Sequence, residues 1–173
     1  MSDENLYAVR DEIVARLEQF MDEWGVKKIY TPKNLGVTTE LSQITPNIQV
    51  NFRRTKSAGV VSKGDALKLK VVWEVTACCK HAASQVTDGS KAFDMAGDLT
   101  IKIIKKLSGW EPESSAEPLI YVNTEEDISK SCVYSTVVLE SELFKPNPIK
   151  EPYENAIQSS KADWPMGERS NCG

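Results

Sequence analysis

The stretch from Leu67 to Gly109 constrains this chain most, because it must form a strand and then a helix, each with one apolar side. In the first part, Leu67, Leu69, Val71, Trp73, Val75 and Ala77 recur at every second position, which places them on one side of an extended strand. From Ser90 to Leu107, the residues Phe93, Ala96, Leu99 or Thr100, Ile103, Ile104 and Leu107 recur at helical spacing and leave Lys102, Lys105 and Lys106 to solvent. Asp88 and Ser90 are candidate N-caps. Lys105 and Lys106 suit the negative end of the helix dipole, and Gly109 supplies a left-handed C′ residue. The strand face and the helix stripe are expected to cover each other.

The rest of the chain supplies partners for this pair. Residues 3–24 carry Leu6, Val9, Ile13, Leu17, Phe20 and Trp24 in steps of three and four, which predicts an amphipathic helix stopped by Gly25. Residues 26–46 read as a loop with one short extended piece. Ile48 to Phe52 alternates after Pro46, predicting a strand that runs on to Val60 and Val61 and turns through Ser62–Asp65 into the central strand. Beyond the long helix come an acidic loop from Glu111 to Glu117, a short strand at Leu119–Val122, and a turn at Glu125–Asp127. A last strand follows from Cys132 to Leu143, and its mixed pattern on both faces places it inside the sheet. The fold class is α+β: a mainly antiparallel sheet of about four strands with two helices packed on it, plus an extended C-terminal tail.

One domain over residues 1–143 is expected, followed by an arm over 144–173 that holds four of the eight prolines and lacks apolar periodicity. The expected core is Leu6, Ile13, Leu17, Val50, Phe52, Leu69, Val71, Trp73, Phe93, Leu99, Ile103, Leu107, Val133 and Val137.

Charge and motif content exclude several functions. A formal net charge of −4 argues against a protein built to grip a nucleic acid backbone. The N-terminus lacks the basic and apolar parts of a signal peptide and no apolar run approaches a membrane span, so a soluble protein made in a cytoplasm is expected. Adjacent Cys78 and Cys79 point to opposite faces of a strand and no second ligand pair follows at zinc spacing, so free thiols are expected, with no metal and no cofactor. His81 is the only histidine and lies at a strand end without a nucleophile motif. Gly59 to Gly64 spaces its glycines like a phosphate loop, but Asp65 and Ala66 stand where Lys and Ser or Thr are required, which makes it a hairpin turn. Asp94 and Asp98, one helical turn apart, read as solvated helix charges rather than an acid/base pair. No enzyme is expected.

What stands out is charge segregation. Between Asn51 and Lys70 there are six basic residues, Arg53, Arg54, Lys56, Lys63, Lys68 and Lys70, against Asp65 alone; between Glu111 and Ser129 there are six acidic residues and no basic one. Such runs commonly decorate a solvated surface. They also suit a surface that joins copies of itself head to tail, with Arg53, Arg54, Lys56 and Lys63 facing Glu125, Glu126 and Asp127 of a neighbour. Tyr153 and Trp164, isolated aromatics in the C-terminal arm, are candidate anchors on an adjacent subunit.

Taken together, the order and spacing of these segments resemble the tail terminator proteins of long-tailed bacteriophages, in particular the Mu-like type sharing the fold of the lambda terminator. The resemblance runs through the N-terminal helix, Ile44-Thr-Pro-Asn-Ile-Gln-Val-Asn-Phe52 and Val71-Val-Trp-Glu-Val-Thr76. It continues in Ala92-Phe-Asp-Met-Ala-Gly-Asp-Leu99, Leu107-Ser-Gly-Trp110 and Ser131-Cys-Val-Tyr-Ser-Thr-Val-Val138, and covers roughly residues 4–143. It implies a structural virion protein without catalytic residues that forms a homo-oligomeric, hexameric ring on the tail tube, with DNA passing through the lumen without specific binding. Tail tube and sheath proteins and head-completion or neck proteins are the implied partners, in the virion and, during assembly, in the host cytoplasm. Another head-tail connector or tail-completion protein is the alternative within structural proteins. A metal-dependent enzyme using Asp94 and Asp98, or a nucleic-acid binder using the basic hairpin, lacks the clustered ligands or interleaved aromatics it would require.

Overall fold

The computed structural model describes residues 5–35, 40–61, 66–81 and 90–146. Apolar residues at i, i+4 and i+8 build helix α1, Ala8–Glu18, which buries Val9, Ile13 and Leu17. The expected single helix to Trp24 is broken after Glu18, and a four-residue helix α2, Met21–Trp24, follows. Phe20, the N-cap of α2, stacks on Trp24 one turn on at 5.2 Å. Gly25 ends α2 as expected. Its φ of 69° lets its own N–H reach Asp22 O and the Val26 N–H reach Met21 O, the paired bonds of a Schellman cap.

Strand β1, Lys28–Tyr30, is the short extended piece of the following segment. Helix α3, Pro32–Leu35, and a 3₁₀ turn, Glu40–Ser42, lead to β2, Asn47–Val61, and β3, Ala66–Lys80. The expected turn at Ser62–Asp65 lies outside the described residues, but the strands it joins pair antiparallel out to Val61 and Ala66. Helix α4 begins at Ser90 and ends at Leu107, while Asp88, the other candidate cap, lies outside the described residues. Strands β4, Ile120–Ile128, and β5, Cys132–Pro146, complete a sheet in the order β1-β2-β3-β5-β4, mixed because β1 runs parallel to β2. The architecture is α+β with β5 inside the sheet, as the sequence implies.

Two elements differ from expectation. Glu125, Glu126 and Asp127 belong to β4 and pair with Thr136, Ser135 and Tyr134, so the turn falls at Ser129–Ser131 instead. An edge strand with no helix over it has no apolar alternation to betray it, and its acidic residues therefore resemble a turn. Strand β5 also runs past Leu143: Phe144, Lys145 and Pro146 pair with Lys68, Leu67 and Ala66.

The core lies between α1, α4 and one face of the sheet. There Ile48, Val50, Val71, Trp73, Val75, Ala77, Val133, Val137 and Leu139 meet Ala96, Leu99, Ile103 and Leu107. Trp73 is fully enclosed, and its indole N–H donates to Ser141 Oγ at 2.8 Å, so its polar atom is satisfied inside the core. Thr100 links α4 to β5 by donating to Ser135 Oγ at 2.7 Å. Three members of the expected core are corrected by degree: Leu6, Phe52 and Leu69 pack against it only partly buried. Phe93 is corrected outright. It is 37% exposed, because Ala92, the neighbouring position on the helix, faces the sheet.

The C-terminus of α4 is tied down from two sides. Gly109, at φ 77°, donates to Leu119 O, and Arg16 of α1 donates to Lys106 O at 2.8 Å while lying over the Trp110 ring. This fixes where β4 starts.

Candidate functional site

The pleat gives the sheet a helix face and an open face. On the open face the register sets Arg54, Val72, Glu140 and Ile120 in one row, and Lys56, Lys70 and Glu142 in the next. Glu142 and Glu140 consequently sit among lysines: Lys68 Nζ is 2.6 Å from Glu142, Lys70 Nζ is 3.6 Å from Glu140, and Lys56 Nζ is 4.0 Å from Glu140. A β-bulge at Arg53 turns its side chain onto the same face, where the guanidinium meets Glu74 at 3.1 Å and Glu125 at 3.4 Å. These long side chains roof Val72 and Val138, which are buried although no described helix lies on that face.

The lower end of the open face is closed differently. Lys80 donates to Gln43 O at 2.8 Å and Gln49 donates to Gln43 Oε1 at 3.2 Å, so the segment around Gln43 is tied to the sheet beside Cys78 and Cys132. Nearby, the hydroxyls of Ser129 and Ser131 both donate to Glu40 Oε1. These two bonds, aided by Lys80, hold the Glu40 carboxyl below its ordinary value. The turn between β4 and β5 is thereby tied to the 3₁₀ turn before β2.

Arg54 is exposed and makes no ion pair among the described residues, as does Glu126; Asp127 Oδ1 accepts the Ile128 N–H. Arg53, expected to face a neighbour, also has the intrachain partners Glu74 and Glu125, and the basic and acidic runs thus touch within one chain. Sequence periodicity could not have found Glu74 as a partner, because the bulge decides which face Arg53 takes. Lys63, Tyr153 and Trp164 lie outside the described residues.

Among the described residues, the side chains singled out for chemistry do not converge on one centre. Asp94 is exposed on α4 and Asp98 bonds Lys102 at 2.7 Å, one turn on. His81 is held at the end of β3, its Nε2 3.3 Å from Ser129 O. Cys78, Cys79 and Cys132 are free and buried; burial first, and then the neighbouring Cys132 thiol, push the Cys78 thiol up to about 12 and Cys79 to about 11. Such thiols are poor nucleophiles. Gly59 sits in a second β-bulge of β2 with φ 111°, a position in a strand rather than a phosphate loop. A cleft of about 580 Å³ beside Gly109, Leu119, Ile120 and Tyr121 has Glu142 on its wall, already bonded to Lys68.

What the molecule does present is sheet edge and charge. All nine side chains of β4 are exposed, Glu125, Glu126 and Asp127 among them, and so are those of β2 from Arg53 to Val60. No described helix is long and apolar enough to cross a membrane. Comparison with curated proteins gives no match. The family model of the phage tail terminator protein matches residues 3–143, which contain nearly every element described above. Membership implies contact with other tail components and a place in the virion tail. Matching that family over most of its length, the chain belongs to the phage tail terminator proteins, structural and non-enzymatic components of the bacteriophage tail.

Proposed function

We propose that this protein closes into a ring on the last ring of the tail tube, ends tube polymerisation there, and offers its far surface to the head-completion or neck proteins. The family match over residues 3–143 carries this reading. The opposed charges of β2 and β4 support it, because unlike patches on one chain favour head-to-tail contacts that close by rotation. A hexamer and the Mu-like subtype are part of the same proposal. So is a division into a terminator domain over residues 1–143 and a C-terminal arm that uses Tyr153 and Trp164 as anchors on a neighbour.

The reach of the arm favours that role. β5 ends at Pro146 opposite Ala66, beside the start of β3, and residues 147–173 follow it in the chain. An extended chain of that length reaches up to roughly 90 Å, more than enough to cross an adjacent subunit.

A phage in which this protein is depleted tests the function directly. Electron microscopy is expected to show tails of uncontrolled length that carry no heads. Tails of normal length that merely fail to join heads would replace the terminator role with that of a head-tail connector.

A further inference from the structure

We propose that copies of this chain join by strand addition, the free edge of β2 in one subunit pairing antiparallel with the free edge of β4 in the next. The proposal rests on the self-association proposed above and adds which backbone edges meet.

The sheet order leaves both edges open. β1 covers β2 only at Asn47–Gln49, and from Val50 to Val61 no described strand lies on that side. β4 has β5 on one side and no described strand on the other, and it exposes Ile120, Val122 and Ile128 to about half of their surface (52%, 47% and 54%). An uncovered edge of nine residues carrying apolar side chains is a template for another strand. Charges on an edge can serve merely to keep copies apart, but for that one sign would suffice on both. Here the signs are opposite: Arg54 and Lys56 on one edge, beside an Arg53 turned inward onto Glu74, and Glu125, Glu126 and Asp127 on the other. Two β4 edges meeting about a twofold axis would bring carboxylates together, and two β2 edges would bring cations together. Only the unlike pairing matches charge.

Strand polarity agrees. β2, β3, β5 and β4 alternate in direction, so β2 and β4 run opposite ways. Rotation about an axis along the strands leaves direction unchanged, so β4 of one subunit meets β2 of the next antiparallel. Length agrees as well, since nine residues fit between Arg53 and Val61, clear of β1. Setting Ile128 against Arg53 and Ile120 against Val61 brings Asp127 opposite Arg54 and Glu125 opposite Lys56. All four of these lie on the open face, while Thr124 and Ser57 meet on the helix face. From Arg54 to Ser57 every opposed pair keeps its face, and the exception is Ile128, which lies on the helix face opposite an Arg53 that its bulge turns onto the open one.

Two measurements decide it. In a Cys172→Ser background, Ser57→Cys with Thr124→Cys is oxidised by molecular oxygen with copper phenanthroline. Each pair of thiols loses two protons and two electrons to oxygen and forms one disulfide. A covalent ladder ending at the ring number is expected, with no ladder from either single variant. Hydrogen exchange on the unmodified chain is expected to slow by about tenfold or more on assembly at the outward amides of β4 and of Val50–Val61. This second reading holds whether or not the cysteine pair folds. A protein that sediments as a ring with unchanged exchange at β4, and gives no ladder at Thr124 or when Val122 or Glu126 carries the cysteine, overturns strand addition and leaves the ring standing. A chain that stays monomeric at every concentration, with no ladder, overturns both.

Discussion

Within the single strand β3 two regions behave differently, and the contrast shows where the fold ends and the surface begins. From Val71 to Cys79 every residue but Glu74 is buried, under α1 and α4 on one face and under ion-paired side chains or the Gln43 segment on the other. From Ala66 to Lys70 the same strand is only partly buried, and its β2 partner is exposed from Arg53 to Val60. Both halves stay paired with β2 and β5, with one β2 bulge in each half and an unbroken register with β5. Backbone pairing is therefore not what distinguishes them. The footprint of the helices is, and the uncovered half extends the sheet without belonging to its core.

That contrast predicts unequal losses on truncation. Trp73→Ala removes a fully buried ring and the partner of Ser141, and is expected to destabilise by about 3–5 kcal/mol. Leu69→Ala, four residues nearer the uncovered end on the same face, is expected to cost about 1–2 kcal/mol, because Leu69 packs against the core only partly buried. Denaturant titration of both variants measures the gap. Equal losses would mean that the helices stabilise the whole length of the sheet.

The readable parts of this fold are those with a local cause. β3 and α4 announce themselves through apolar spacing, and Gly25 and Gly109 through the left-handed positions that end α2 and α4. β1 was harder to define, since a three-residue strand is too short to show a period and owes its place to pairing with Asn47–Gln49. The acidic strand β4 was hidden because its side chains all face water and impose no pattern. Burial of Val72 and Cys78 on the open face depends on residues brought from Arg53, Glu140 and Gln43, which no window of sequence joins. For the site, the two charge runs were legible. What the sequence could not supply was the intrachain pairing of Arg53 with Glu74, which depends on the bulge.

Association should respond less than stability does to single changes in the uncovered half, since exposed ion pairs contribute about 0–1 kcal/mol each. Reversing Arg54 and Lys56 to Glu is expected to shift sedimentation toward monomer, and reversing Glu125 and Asp127 to Lys in the same chain to restore part of the assembly. Arg53 is a poorer site for this test, because its change also strips Glu74 of a partner within the chain. A fully reversed chain that assembles no better than the singly reversed one would remove charge matching from the account of the uncovered half, whatever the fate of strand pairing.

The smallest effect is expected from a residue whose spacing places it in the core. Phe93 follows the apolar rhythm of α4, yet the stripe that meets the sheet is Ala92, Ala96, Leu99, Thr100, Ile103 and Leu107, and Phe93 stands 37% exposed beside it. Ala92 and Ala96 occupy the sheet-facing stripe of the first half of the helix, and their small side chains favour close packing there over an inward phenyl ring. Thr100 then reaches Ser135 directly. Replacing Phe93 with Ser should consequently cost no more than about 1 kcal/mol, well below the loss at Trp73, because the ring is only partly covered. A loss of several kcal/mol in a denaturant titration would show that α4 sits rotated by one position, with Phe93 inside and Ala92 out, and the helix-covered region would have to be rebuilt around it.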